Sequence, residues 1–450
     1  MQHHQQITAA PIAQLIISKS APMLVGVFAI LLFNLVDSYF IAKLGTEALA
    51  ALSFTLPVSF LFTSLATGIG NGLAANLGRL LGARQQHVAS QLTRHSLLFS
   101  VLVCVGLSAL GTALIHPMFL YLGAELSVIS YIERYMTIWY WAIPMLVCAM
   151  VASAALRASG DSWRPCLLML IAGGVNGVLD PILIFGVGPI PAMGIEGAAI
   201  ASTIAWLLTF VASIYLLQNK SALLSAGGRA VFSGIRTSWR SLLSIAVPAT
   251  LSQLFAPLAN TLALAMLAKL GTATVAAYGL ATRIEALLLI GIMALNSVVP
   301  MLVGQNIGAR QPQRAREVVH KVIRMGLLWQ LLLACLIYPI APMLSRWISS
   351  DPLVMELTSF YLRLLPFCYP MIALVLILVQ ALNAMAKPIY AMLLNAARLL
   401  LIFVPAIYLS VDSFNPKLVF VAMTAAHTLA GLLSGLLLVL MMKKRRWWAL

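Results

Sequence analysis

About twelve runs of helical length, apolar almost throughout, occupy this chain from Ala21 to its last residues. A bilayer's hydrocarbon core takes ~20 apolar residues to cross as a helix, and only helices and closed barrels satisfy their backbone groups there. The runs lie near 20–42, 49–78, 95–116, 134–156, 165–187, 194–218, 242–268, 274–303, 322–344, 357–385, 389–411 and 417–442. The expected fold is therefore an all-α polytopic membrane protein with twelve transmembrane helices. Pro57, Pro144, Pro248, Pro300, Pro370 and Pro405 interrupt the runs, as a bundle tolerates when neighbouring helices re-satisfy the freed carbonyls.

The charges agree with this fold. Only 9% of residues are charged and 62% are hydrophobic, whereas a soluble domain carries roughly 25% charged residues. The net charge of +16 would suit a nucleic-acid partner if it formed a patch. Instead it is divided among short connections: Arg79, Arg84 and Arg94; Arg157 and Arg164; Lys220, Arg229, Arg236 and Arg240; Arg310, Arg314, Arg316, Lys321 and Arg324; Lys387; and the terminal Lys443 to Arg446. These are the even-numbered loops and the tail, while the odd loops hold Glu47, Glu125, Glu133, Glu196, Asp351, Glu356 and Asp412. The positive-inside rule then puts both termini in the cytoplasm. A lipid bilayer is the expected surrounding, and nucleic acid is not an expected partner. No charged n-region with a cleavage site opens the chain, so no removable signal peptide is expected. The five cysteines, with no CxxC pair, read as packing residues rather than a metal site.

The chain repeats itself. Ala42-Lys43-Leu44-Gly45-Thr46 returns in the second half as Ala268-Lys269-Leu270-Gly271-Thr272, and Gly82-Ala83-Arg84-Gln85 returns as Gly308-Ala309-Arg310-Gln311 at the same offset. That offset also maps Ala21-Pro22 onto Val247-Pro248, and Pro144-Met145 onto Pro370-Met371. Six spans per repeat is an even number, so the halves run parallel and form two six-helix lobes related by a pseudo-two-fold axis along the membrane normal. The expected division is an N-terminal lobe over 1–218, a cytoplasmic linker over 219–241 and a C-terminal lobe over 242–450.

Against this symmetry the carboxylates stand out. Asp37 maps to Ala263 and Asp180 to Ala406, so only the first half carries them. Ionisable residues inside spans are costly and mark function by default. At 1.5 Å per residue Asp37 lies roughly 7–8 Å and Asp180 roughly 10 Å inside the outer ends of their spans. Thr203 lies at a similar level, Asn176 one helical turn from Asp180, and Asn34 three residues before Asp37. Two carboxylates in one low-dielectric layer do not both ionise readily, so the layer suits either a proton or a monovalent cation held with the Asn176 and Thr203 oxygens. A purely structural hydrogen-bond cluster is the alternative. Glu285, with Arg283 nearby, is a tentative second site; Arg363 and Arg398 are candidate ion-pair partners that would make Glu285 structural instead. His116 and His427 read as polar packing residues.

Taken together, the twelve spans, the Asn34 to Ile41 run, the repeated Gly-Ala-Arg-Gln loops, Leu156 to Asp161 leading to Asn176 to Pro181, and Ala281 to Glu285 resemble the multidrug and toxic compound extrusion (MATE) family, in its DinF-like branch. The resemblance implies a cation-coupled antiporter in the bacterial inner membrane. It would export cationic or amphipathic drugs in exchange for protons, or for sodium ions, by alternating access. It further implies a coupling site at Asp37, Asn176, Asp180 and Thr203, which would also hold the ion if that ion is sodium, with Tyr39 and Tyr135 nearby and Pro22 as a point of bending. A monomer with no cofactor is expected. The glutamate of the sodium-linked branch is missing from the seventh span, which reads Ser252-Gln253-Leu254-Phe255. The alternative is a flippase for lipid-linked precursors, which would call for more intramembrane bases. No HExxH, GxSxG or His/Asp constellation supports an enzyme.

Overall fold

The computed structural model describes residues 7–224 and 233–443. Ser225 to Arg229 of the expected linker and the basic Lys444 to Arg446 lie outside the described residues. The first six helices are α1 (Ile12–Ala42), α2 (Thr46–Gly82), α3 (Gln86–Tyr121), α4 (Leu126–Ala158), α5 (Trp163–Phe185) and α6 (Gly194–Asn219). The second set begins with α7 (Ile235–Ala268), α8 (Thr272–Leu288), α9 (Ile290–Gly308) and α10 (Pro312–Ile348). There follow α11 (Pro352–Leu364), a 3-10 turn (Leu365–Cys368) and α12 (Tyr369–Ala384). Then come α13 (Pro388–Ala396), a π-helical segment (Ala397–Phe403), α14 (Val404–Val411) and α15 (Pro416–Lys443). Among the described residues, 12 helical spans are long and apolar enough to cross a membrane.

The element ends obey the repeat found in the sequence. α1 and α7 end at Ala42 and Ala268; α2 covers Thr46–Gly82, while α8 and α9 together cover Thr272 to Gly308; α4 covers Leu126–Ala158, while α11 and α12 cover Pro352 to Ala384. Even strained backbone is duplicated. Arg84 and Arg310 take φ of 59° and 58°, a left-handed conformation that costs a non-glycine residue roughly 1–2 kcal/mol. Each closes a Schellman-type helix end: Gln85 N–H donates to the Leu80 carbonyl and Gln311 N–H to the Asn306 carbonyl, both at 2.9 Å.

Two departures from the expected spans are local. The run at 274–303 is divided at Leu289, where α8 passes into α9. The run at 357–385 carries a 3-10 turn around Pro366 and Pro370, because proline supplies no N–H for the helical ladder.

The chain divides into two compact units. One comprises Ala21–Thr250; the other takes the described residues up to Ser20 with those from Leu251 onward. Both α1 and α7 therefore belong partly to each, and in both the change of unit falls close to the repeated proline, Pro22 or Pro248. In the N-terminal unit the start of α7 is held by polar bonds. Asn76 Nδ2 donates to the Ser241 carbonyl at 3.1 Å, Ser241 Oγ donates back to Asn76 Oδ1 at 2.9 Å, and His95 Nδ1 lies 2.8 Å from Ser238 Oγ. In the C-terminal unit the equivalent start of α1 is apolar: Ile12, Leu15 and Ile16 join the core formed by Leu295, Val298, Val299 and Leu302. Of the five cysteines, which are all unbridged, only Cys335 is exposed.

Candidate functional site

The N-terminal unit assembles its polar layer through a close helix approach. A Cβ on Gly173 would fall 1.7 Å from Phe33 Cδ2, and one on Gly177 would fall 3.3 Å from Phe33 Cδ1. The Phe33 ring therefore lies against the bare backbone of α5. Asp37 is one turn beyond Phe33 on α1, and Asp180 continues the i, i+4, i+7 face that starts with Gly173 and Gly177. On the other side, a Cβ on Gly197 would meet the Leu183 carbonyl at 2.5 Å, which presses the start of α6 onto the end of α5.

These contacts put the Asp37 and Asp180 carboxyls side by side, within hydrogen-bonding reach. Asp180 is fully buried. Asn176 Nδ2 donates to Asp180 Oδ1 at 3.2 Å and to Ser202 Oγ at 3.2 Å. Asp37 Oδ1 and Asp180 Oδ2 are buried with no donor aimed at them among the described residues. Two carboxylate oxygens without donors repel in a low-dielectric interior, and one shared proton turns that repulsion into a hydrogen bond. Tyr135, buried on α4, is near enough to both carboxyls to interact with them electrostatically. Thr203 Oγ donates to the Ala199 carbonyl at 2.7 Å on its own helix.

Not every expected member of this layer joins the pair. Asn34 lies outside the packed interior and accepts from Ser38 Oγ at 2.8 Å through its main-chain carbonyl. Tyr39 is 57% exposed, with Lys43 Nζ 4.6 Å from the centre of its ring. Neither side chain hydrogen-bonds to the carboxyls. Ser202 does reach Asn176, although the sequence points to its neighbour Thr203. Serines and threonines are common in the spans, and depth alone does not tell adjacent helix positions apart. α1 runs unbroken through Pro22, where the missing N–H leaves the Ser18 carbonyl without its helical partner.

The C-terminal unit encloses a separate polar group. Tyr361 Oη donates to Glu285 Oε2 at 2.7 Å, Tyr369 lies within hydrogen-bonding reach of the same carboxyl, and Arg398 is near enough to act on it electrostatically. Arg283 is exposed and takes no part. Arg363, the other possible partner of Glu285, lies outside the packed interior with its guanidinium 5.5 Å from the Tyr338 ring centre. His116 bonds to Glu133 at 2.7 Å, and His427 stacks on Phe403 with ring centres 4.6 Å apart. Among the described residues, no three His, Cys, Asp or Glu side chains converge as metal ligands.

Twelve spans among the described residues, in two repeated sets of six, have the architecture of a two-lobed transporter. The MatE family model matches residues 22–182 and 248–409, and the chain belongs to that family, whose members are ion-coupled transporters rather than enzymes. The two matches begin at the repeated prolines, Pro22 and Pro248. The chain is 40% identical over 434 residues to the "FAD transporter" of Shewanella oneidensis, covering 96% of this chain and 95% of the relative. It is 23% identical over 364 residues to "Multidrug export protein MepA" of Staphylococcus aureus, covering 79% and 77% of the two chains. The fold is similar to that of the Vibrio cholerae MATE transporter VcmN in its bent form, with a TM-score of 0.92 and 27% identity over 99% of this chain and 100% of that one.

Proposed function

We propose that this chain is a proton-coupled exporter of amphipathic aromatic compounds, with Asp37 and Asp180 as the coupling site. The observation that carries the reading is the pair of facing carboxyls whose Oδ1 (Asp37) and Oδ2 (Asp180) have no donor. A proton fits this geometry better than sodium. Asn176 turns its amide N–H, not its carbonyl, toward Asp180 and Ser202, and an N–H repels a metal cation. Tyr135 on α4 lies near the pair, and Ser202 joins it through Asn176, while Thr203, at the same level, bonds to its own helix.

In the proposed cycle a proton enters from outside and binds between the carboxyls. The change in charge alters the hydrogen bonding of α1, which bends at Pro22 because its ladder is already open there, and substrate leaves outward. Facing inward, the pair gives up its proton and substrate binds again. Coupling requires proton and substrate each to discriminate between the two states. The expected setting is a bacterial inner membrane with both termini cytoplasmic, as the loop charges support.

The substrate proposal is a flavin dinucleotide, FAD, ahead of the cationic drugs that the sequence alone favours. It rests on the relative with 40% identity across almost the full chain. Purified protein in vesicles, tested with separate proton and sodium gradients, distinguishes the alternatives. FAD movement driven by the proton gradient alone is expected. Movement driven only by sodium overturns the choice of ion, and transport of ethidium but not FAD overturns the choice of substrate.

A further inference from the structure

The N-terminal unit's carboxyl pair has no counterpart at the repeat-equivalent positions, yet the C-terminal unit builds an acidic centre of its own. Glu285 on α8 accepts a hydrogen bond from Tyr361, and Tyr361 is the repeat equivalent of Tyr135, the tyrosine beside Asp37 and Asp180. Each unit thus sets a carboxyl against the same tyrosine of the repeat, with the carboxyl arriving from a different helix.

The surroundings of Glu285 are incomplete for a static ion pair. Arg398 is 7% exposed and near enough to Glu285 to act on it electrostatically, but the two do not close into a salt bridge among the described residues. Arg398 Nη2 donates instead to Asn395 Oδ1 at 3.2 Å, and its Nε is buried without a partner. Tyr369 Oη is within hydrogen-bonding reach of the same carboxyl, and Nδ1 of His427, which feels the charge of Arg398, is buried with no hydrogen-bond partner among the described residues. The other titratable groups facing this centre are Tyr278 of α8 and Cys368 of the 3-10 turn. A half-buried carboxylate with a guanidinium nearby would draw that guanidinium from a neutral amide, because a charge held largely away from water without a partner is costly. The arrangement present, with Arg398 turned to Asn395, is the one a neutral Glu285 allows.

The backbone under Arg398 fits such a movement. The span containing it, Pro388–Val411, is interrupted by the π-helical segment Ala397–Phe403, whereas its repeat counterpart Trp163–Phe185 is α-helical throughout. Arg398 lies in the first turn of that segment. π-Helical turns are rare and concentrate at functional sites. Asn395, the alternative partner of Arg398, donates to the Ser252 carbonyl at 2.8 Å and to Ser252 Oγ at 3.1 Å. Ser252 lies on α7, one helical turn past Pro248.

We propose that Glu285 is a second proton-binding site, and that Arg398 exchanges between Glu285 and Asn395 as the proton leaves and returns, relaying the change to α7 at Ser252. When Glu285 loses its proton, Arg398 turns to the carboxylate, Asn395 Oδ1 loses a donor, and the Asn395–Ser252 clamp on α7 loosens. When the proton returns, the clamp re-forms. The proposal extends the proton-coupled reading of the protein, but its test does not require transport.

The test is infrared titration of the purified full chain, following the carbonyl band of protonated carboxyls from about pH 8 to about pH 5. Asp37→Asn with Asp180→Asn removes the N-terminal pair. In that background one buried carboxyl band is expected to grow as pH falls and to be missing once Glu285→Gln is added. The glutamine keeps the side chain's shape and can still accept from Tyr361. Tyr361→Phe, which removes only a donor, should displace the band without abolishing it. This second variant keeps the test decisive if Glu285→Gln does not fold. The protection of α7 amides around Ser252, taken relative to their intrinsic exchange rates at each pH, should fall as pH rises in the wild type and stay level in Asn395→Ala. If no band depends on Glu285, or its band is constant over the whole range, Glu285 is a fixed structural group and the proposal falls. That result would leave the Asp37–Asp180 reading untouched.

Discussion

At residue scale, the weight falls on two oxygens without donors and on the amide that holds one of their carboxyls in place. Asn176 spends both of its observed hydrogen bonds inside this layer, one to Asp180 and one to Ser202. Asn176→Leu is therefore expected to slow export by roughly tenfold or more, about 1.4 kcal/mol at the barrier. Ser202→Ala removes only the outer bond, a loss of about 0.5–1.5 kcal/mol, and is expected to be the milder of the two. Initial export rates of the two variants in vesicles check the order, and a Ser202→Ala defect equal to that of Asn176→Leu would refute it. Asp37, Asp180 and Asn176 were legible in the sequence because acids are rare inside spans and the repeat leaves alanine at both equivalent acid positions. Ser202 was not legible, since nothing in an apolar helix distinguishes a hydroxyl that reaches a neighbour from one that bonds to its own backbone, as Thr203 does.

At element scale, helix approach decides whether those residues meet. Of the α5 glycines, Gly173 leaves the least room against α1, and its partner Phe33 lies far earlier in the chain, four helices before α5. Gly173→Ala would place a methyl group within the Phe33 ring, at a cost of about 1–3 kcal/mol in overpacking, and would push Asp37 away from Asp180. The expected result is a lower thermal midpoint and lost export, with both partly restored in the double variant Gly173→Ala/Phe33→Ala. Additive damage in the double variant would contradict this contact. Arg84 and Arg310 support the opposite kind of prediction. Replacing either with glycine relieves a left-handed strain of roughly 1 kcal/mol, so the thermal midpoint should hold or rise. Hydropathy found the spans to within a few residues at many ends, because the length of an apolar run is set by the bilayer. It could not find the break at Leu289 or the π-helical segment. Both are changes of backbone hydrogen bonding inside an apolar run, and neither needs a change of composition.

For the whole molecule, duplication explains the architecture, and its exceptions locate the chemistry. The constant offset of the repeat carries over helix ends, left-handed turns and the prolines near which α1 and α7 change unit, so the duplication was legible from four short matches, whereas the unit boundaries inside α1 and α7 were not. Among the positions where the halves differ are four polar side chains set against apolar ones: Asp37 and Asp180 against Ala263 and Ala406, and Ser238 and Ser241 against Ile12 and Leu15. Orientation follows from the loop charges and is tested by single cysteines placed at 79–94 or 310–321 with exposed Cys335 replaced by serine. Labelling from the cytoplasmic side alone is expected; labelling from outside would reverse the topology. The most direct test of the central claim measures proton and FAD fluxes together in vesicles under an imposed pH gradient, for the wild type, Asp37→Asn and Asp180→Asn. Linked fluxes in the wild type, and loss of both by roughly tenfold or more in each folded variant, are predicted. Either variant moving protons and FAD at the wild-type rate and ratio would contradict the account.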